Sequence, residues 1–287
     1  MKPNVSVRED ANEAKQVARS AATGKEMSWL ARLGYAAKGV VYVIIGVLAA
    51  QLAIGQGGRA TDQAGALQTI SHQPFGQVLL IIVIIGMIGF ALWSLIQAVF
   101  DTEGEGRKAK GVVARIGYAV VGIAYLILAI GAFGLVTGTG SGPKSSTTTA
   151  QDSTALLLKQ PLGVVLVVIL GLVIIGVALY MFYRAYSANF RRHINLMTVS
   201  ARVRRWIINM GRFGYASIGV VFSIIAIFLI AAAVQHNPHQ AKGLDSALKT
   251  LVHEPFGSVL LVIVALGLIA YGVYSFVEAR YRLVGRG

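Results

Sequence analysis

Ala31-Arg32-Leu33-Gly34-Tyr35, Ala114-Arg115-Ile116-Gly117-Tyr118 and Gly211-Arg212-Phe213-Gly214-Tyr215 are three copies of one pentapeptide, each at the start of a long apolar run. A second glycine follows the first by the same interval in every copy (Gly39, Gly122, Gly219). Further along, Gln73-Pro74-Phe75-Gly76 returns as Gln160-Pro161-Leu162-Gly163 and Glu254-Pro255-Phe256-Gly257. Each proline opens a second apolar run with an aromatic at one fixed place (Trp93, Tyr180, Tyr274) and an alanine beyond it (Ala98, Ala185, Ala279). Recurrence of both the apolar runs and their punctuation defines a triplicated two-helix unit.

The runs cover 33–54, 76–99, 112–136, 162–186, 211–234 and 257–279. At about 1.5 Å per residue each is long enough to cross a hydrocarbon core of about 30 Å. The expected fold is therefore an all-α polytopic membrane protein, with six transmembrane helices in three tandem hairpins. All three hairpins start on the same side, which places a pseudo-threefold axis along the membrane normal. The expected divisions are a polar tail over 1–28, repeats over 29–101, 112–187 and 209–283, and a basic segment over 188–208. An apolar content of 55% with 13% charged residues agrees, since soluble chains carry about a quarter charged. The first run is too long for a signal-peptide core and begins a unit that recurs, so it is read as a retained helix.

A net charge of +14 raises the question of nucleic acid, and its distribution answers it. Of 26 basic residues, all but Arg59, Lys144, Lys159, Lys242 and Lys249 fall in the tail, the even loops, the adjoining helix ends or the C-terminus. The positive-inside rule reads this asymmetry as topology, with both termini and the even loops cytoplasmic, and no nucleic-acid partner. In the fourth loop Arg191, Arg192, Arg202, Arg204 and Arg205 alternate with Ile194, Met197, Val199, Val203 and Trp206. That mixture predicts an interfacial basic helix on anionic lipid, where each Lys or Arg contributes about 1 kcal/mol. The same loop is the place for a protein partner, if there is one. The sequence leaves the oligomeric state open.

Asp62, Asp152 and Asp245 stand before short amphipathic stretches in the external loops and predict N-capped helices on the outer surface. The repeated proline (Pro74, Pro161, Pro255) suits the first turn of the following helix, and the glycines Gly76, Gly163 and Gly257 close that motif.

The stretch from Ala31 to Tyr42, Ala-Arg-Leu-Gly-Tyr-Ala-Ala-Lys-Gly-Val-Val-Tyr, resembles the bacterial membrane family called domain of unknown function 1206. So does Leu266 to Arg280, Leu-Gly-Leu-Ile-Ala-Tyr-Gly-Val-Tyr-Ser-Phe-Val-Glu-Ala-Arg. The resemblance implies three tandem two-helix repeats in a bacterial inner membrane and no established chemistry. Val121 and Ile218 stand at the Lys38 position, so any role for that cation belongs to the first repeat.

No residue pattern predicts catalysis or a cofactor. Gly138-Thr139-Gly140-Ser141-Gly142-Pro143-Lys144-Ser145 differs from a phosphate-binding loop by a proline before the lysine, lacks a preceding strand, and reads as a linker. His72, His236, His239 and His253 lie in external loops and are the weak candidates for a metal. Repeat 2 has Lys159 where repeats 1 and 3 have His72 and His253, and the chain has no cysteine. Ionisable groups at membrane depth mark transport routes, and the helix centres hold none. Lys38 is expected to snorkel from near the inner face. Glu278, at the repeat position of Gln97 and Arg184, is expected to pair with Lys38 across the ring, or with Arg212 in its own hairpin. The reading that follows is a structural or interaction protein of the membrane with lipid or protein partners. A pore for a small neutral or apolar solute and an outward-facing metal or ligand binder are the two alternatives.

Overall fold

The computed structural model describes residues 25–100, 109–139, 142–194 and 199–281. Among them no strand occurs; the chain is a bundle of helices, six of them long and apolar enough to cross a membrane. Repeat 1 comprises α1 (Lys25–Ala53), the short α2 (Gln63–Ser71) and α3 (Gly76–Phe100). Repeat 2 comprises α4 (Ala109–Thr137), α5 (Ser146–Leu158) and α6 (Gly163–Ser187). Repeat 3 comprises α7 (Ala201–Val234), α8 (Leu244–His253) and α9 (Gly257–Tyr281). The short helices α2, α5 and α8 gather at one end of the bundle, the capped end; the arginine-bearing connections lie at the other, the basic end.

The short helices form where the loops predict them, with one acidic cap rather than three. Asp62 caps α2, its carboxylate accepting the Gly65 N–H at 3.0 Å. Ser145 caps α5 through the Thr148 N–H at 3.1 Å, while Asp152 lies within the helix and pairs with Lys144 at 2.7 Å. Gly243 is the N-cap of α8, and Asp245 sits in its first turn. The loop that imitates a phosphate-binding sequence is thus partly spent on starting α5; Gly140 and Ser141 lie outside the described residues.

The repeated proline occupies a turn rather than the next helix. Gly76, Gly163 and Gly257 each donate their N–H to the residue three before, at 2.8, 2.9 and 2.7 Å. Proline fixes the second turn position, and Phe75, Leu162 and Phe256 take the third at φ of 60°, 63° and 59°. A Cβ on the closing glycine would lie 2.4 Å from Ile70 O, 2.2 Å from Leu157 O and 2.3 Å from Leu251 O, so only glycine lets the next helix leave this tightly.

The two repeated glycines of the first helix have different partners. In repeats 1 and 3 the first glycine meets the second helix of its own hairpin. A Cβ on Gly34 would lie 2.7 Å from Phe90 Cα, and one on Gly214 would lie 2.7 Å from Tyr271 Cα. The second glycine meets the preceding repeat. Gly39 of α1 faces Gly272 O of α9, Gly122 of α4 faces Ala91 O of α3, and Gly219 of α7 faces the Phe182 ring of α6. These are close small-residue approaches of the kind that hold membrane helices together. Repeat 3 therefore packs on repeat 1, and the helix order around the bundle is α4, α3, α1, α9, α7, α6.

The expected threefold ring is consequently formed at every interface between repeats but open within repeat 2. Helices α4 and α6 share no packed interface among the described residues, and both are far more exposed than the other four. Gly117, the counterpart of Gly34 and Gly214, has open space where a Cβ would stand. Trp93 and Tyr274 are 2% and 1% exposed, whereas their counterpart Tyr180 is 49% exposed.

At the basic end the repeated arginine is a staple. Arg115 at the start of α4 donates to Ala98 O (2.6 Å) and Val99 O (2.9 Å) at the end of α3. Arg212 on α7 does the same to Ala185 O (2.9 Å) and Tyr186 O (2.8 Å) of α6. Carbonyls of a last helical turn carry the negative end of the helix dipole and favour a cationic donor. The repeated alanine five residues past the aromatic is thus the arginine's acceptor. Arg32 has its Nε buried with no acceptor among the described residues, so the two-carbonyl staple is described for Arg115 and Arg212. Charge-assisted hydrogen bonds contribute about 1.5–3 kcal/mol. Arg115→Ala and Arg212→Ala are each expected to lower the thermal midpoint in detergent, with Arg212→Lys recovering only part, since a point charge cannot span two carbonyls. An unchanged midpoint for both alanine variants would remove the staple from the account.

The fourth connection is not a separate interfacial helix over 188–208. Asn189–His193 is a short 3-10 turn, residues 195–198 lie outside the described residues, and α7 begins at Ala201 and continues unbroken to Val234. Arg202, Arg204 and Arg205 therefore stand exposed on an extension of α7, together with Val203 and Trp206. Arg191 is exposed on the 3-10 turn; the side chain of Arg192 lies outside the described residues. Phe190, by contrast, turns inward and is buried.

Candidate functional site

The chemistry-bearing residues of the described chain collect in two layers. At the capped end the three short helices converge with their N-termini together. Asp62 Oδ1 caps its own helix while Oδ2 accepts the Ser146 N–H. Asp245 Oδ1 accepts from Ser146 Oγ (3.0 Å), Thr147 N (3.2 Å) and Thr147 Oγ1 (2.6 Å). In return Thr147 Oγ1 accepts from Gly243 N and Ser146 Oγ from Leu244 N, both at 2.9 Å. Repeat 2 is thereby latched to repeats 1 and 3 by two carboxylates and two hydroxyls, a reciprocal arrangement that leaves few lone pairs idle. A cavity of about 180 Å³ lies against this junction, bordered by Arg59, Asp62, Gln68, Ser145 and Asp245. A second, of about 380 Å³, opens beside Arg59, Thr69 and His72.

Gln63 links this layer to the next by donating from Nε2 to the Tyr42 hydroxyl at 3.3 Å. Below it, aromatic rings form two packed sets, one of Tyr35, Phe90 and Tyr125 and one of Tyr42, Tyr271, Tyr215, Tyr274 and Phe190, with Lys38 over rings of both. Tyr35 and Phe90 meet at 5.2 Å, Phe90 and Tyr125 at 4.7 Å, and Tyr42 and Tyr271 at 4.9 Å between centroids. Tyr215 then contacts Tyr271 at 5.3 Å and Tyr274 at 5.8 Å, and Phe190 closes the set beneath at 5.0 Å from Tyr274. Edge-to-face pairs of this kind contribute about 0.5–1.5 kcal/mol each beyond burial.

Two cations enter these sets. Lys38 Nζ is 4.5 Å from the Tyr271 ring centroid, 5.6 Å from Phe90 and 6.0 Å from Tyr35. Arg184 lies 4.4 Å over Tyr215 and 5.9 Å from Tyr180. Lys38 therefore points into the rings instead of snorkelling to the surface, because three π faces offer a partly buried ammonium more than a climb past Gly34 would. Glu278 is buried on α9 in the same cluster, but forms an ion pair with neither Lys38 nor Arg212, whose guanidinium is given to carbonyls. The charges of Arg184, Glu278 and Lys38 all act on Tyr215. Because Lys38 and Glu278 are not in ion-pair contact among the described residues, Lys38→Met and Glu278→Gln are expected to destabilise additively, to within about 0.5 kcal/mol. A double variant clearly more stable than that sum would restore a direct pair.

Metal-binding groups do not converge. Among the described residues no three His, Asp or Glu side chains come together. His72 Nδ1 is engaged with Gln68 O at 2.7 Å, and His236 and His239 sit on the turn around Pro238. His253 ends α8. Nearby, Lys242 Nζ lies 3.5 Å from the Phe228 ring centroid and donates to Thr250 at 2.8 Å; desolvation there lowers the lysine from its ordinary value, with Glu254 opposing.

The repeated motif, the paired glycines and the stapling arginine define a class of triplicated two-helix membrane proteins. The chain belongs to the family described as Domain of Unknown Function (DUF1206), which matches it over residues 33–101, 116–188 and 213–282. It is 37% identical over 251 residues to the "Uncharacterized protein YxxB" of Bacillus subtilis (strain 168), covering 88% of this chain and 90% of that protein. No solved structure matches it.

Proposed function

We propose that the protein is a non-catalytic component of the bacterial cell membrane that works by holding lipid or protein partners, with both termini in the cytoplasm. The observation that carries this reading is the filled centre. Rings of α1, α3 and α4 and rings of α1, α7 and α9 form two packed sets with Lys38 between them, and above them the Asp62–Ser146–Asp245 latch spans all three repeats. A solute path needs a continuous wet lining, and an enzyme needs a nucleophile, an acid–base pair or a metal in one place. Neither describes this arrangement. The test is flux: proteoliposomes carrying the protein should swell in glycerol or urea gradients at the rate of empty liposomes. Clearly faster swelling, lost on adding a bulky residue near Tyr125, would replace this reading with the pore. Orientation is tested by a reporter fused after Gly287, which should be active only in its cytoplasmic form.

A further inference from the structure

We propose that the open face between α4 and α6 is a binding site for one anionic phospholipid from the leaflet at the basic end. Arg184 receives the phosphate, and an acyl chain lies along Gly117 and Gly176. The proposal rests on the interaction reading above and names its partner.

Four observations converge on it. First, the groove has depth. Gly34, Gly214 and Gly89, the counterparts of Gly117 and Gly176, are clamped by a neighbouring helix, whereas Gly117 and Gly176 meet nothing within 4 Å. Second, its walls are three valines and one tyrosine, with no charged side chain among them. By helical spacing Val113 and Val121 share the face of Gly117, and Val173 and Tyr180 that of Gly176; all four are exposed. Val121 replaces the lysine of repeat 1, so no charge interrupts the groove at acyl depth.

Third, the cation is at the right height. Arg184 is three residues from the end of α6 at Ser187, about 5 Å along the axis, where phosphates meet acyl chains. Its guanidinium lies over the Tyr215 ring, an arrangement that engages the π face and not the in-plane N–H donors, and among the described residues it forms no ion pair. Phosphate suits that planar fork through paired hydrogen bonds. Glu278 belongs to the same cluster but is not in ion-pair contact with Arg184. Fourth, the open repeat is the one that carries the cation. The equivalent Gln97 and Glu278 are each 3% exposed inside packed repeats.

A second copy of the chain fits this face less well. Neither α4 nor α6 carries an Asp or Glu, so a second copy packed through the same face would bring Arg184 no carboxylate. Simple closure of the hairpin lacks a filler, since Val177 stands where Phe90 and Tyr271 pack in the other repeats.

The experiment uses the full chain in a mild detergent, delipidated, with phosphatidylglycerol or phosphatidylcholine added. Native mass spectrometry counts bound lipid and thermal unfolding measures its effect. The wild type should retain one phosphatidylglycerol, in preference to phosphatidylcholine, and unfold at a higher temperature with it. Arg184→Gln should bind phosphatidylglycerol about tenfold more weakly, and Arg184→Lys should recover part of that loss. Gly117→Leu should exclude the lipid while leaving the lipid-free midpoint close to wild type, because its side chain enters open space. Arg202→Gln with Arg204→Gln, on the exposed extension of α7, should weaken only general attraction to anionic surfaces and leave the one retained phosphatidylglycerol bound. If lipid binding survives Arg184→Gln and Gly117→Leu but falls with the α7 pair, this site is wrong and the interaction reading stands. A dimer that Gly117→Leu dissolves, or no preference for the anionic lipid, would overturn the proposal. Solute flux in the swelling assay would instead overturn the reading beneath it.

Discussion

Gly34→Ala and Gly214→Ala are expected to destabilise the protein strongly, and Gly117→Ala, at the same motif position, to stabilise it slightly. The added methyl on Gly34 would lie 2.5 Å from Phe90 Cβ, and that on Gly214 would lie 2.8 Å from the Tyr271 backbone nitrogen. Relief requires whole helices to separate, at a cost of about 3 kcal/mol or more. For a chain of this size that is a fall of roughly 6–12 °C in the thermal midpoint. Gly117 meets nothing, so the same change there keeps only the gain in helix propensity, up to about 1 kcal/mol. Thermal unfolding in detergent reads all three. Equal destabilisation by the three variants would mean that repeat 2 closes like its neighbours.

The second large effect belongs to the latch. Asp245→Ala should cost about 3 kcal/mol, because one carboxylate oxygen holds the first turn of α5 through Ser146 Oγ, Thr147 N and Thr147 Oγ1. Ser146→Ala should be milder, as it removes the bonds to Asp245 and Leu244 but keeps the Ser146 N–H on Asp62. The effect should be specific in place. Limited proteolysis of the Asp245→Ala protein should begin in the connection before α5 before any global unfolding. Cleavage spread evenly over the loops, or a midpoint within about 1 °C of wild type, would show that the three short helices are held by their apolar faces alone.

The repeat, the six spans and the short outer helices were legible because each has a local signature: apolar length, a turn motif, an Asp near a short amphipathic run, although only Asp62 of the three expected caps is one. The helix neighbours were legible in part. Two glycines per first helix announce close contacts, but spacing does not say that Gly34 serves its own hairpin and Gly39 the preceding repeat. The staple was written in plain sight as Arg115 and Arg212, and its acceptors as Ala98 and Ala185. Carbonyls carry no side-chain signal, so the partnership stayed hidden. Lys38 and Glu278 look like a pair on charge alone. The rings of Tyr35, Phe90 and Tyr271, brought together from three helices, compete for the ammonium and take it. The opening of repeat 2 had one readable sign: valine at 177, where Phe90 and Tyr271 fill the hairpins of repeats 1 and 3.

The helix order is the central claim, and the absence of native cysteine makes it directly measurable. The rings of Tyr42 on α1 and Tyr271 on α9 lie 4.9 Å apart, so cysteines at 42 and 271 join repeat 1 to repeat 3 without adding a side chain where there was none. Cysteines at 117 and 177 probe the hairpin of repeat 2. With a short bifunctional thiol reagent in native membranes, the account predicts efficient cross-linking of the 42–271 pair and none of 117–177. A 117–177 cross-link without a 42–271 cross-link would contradict it.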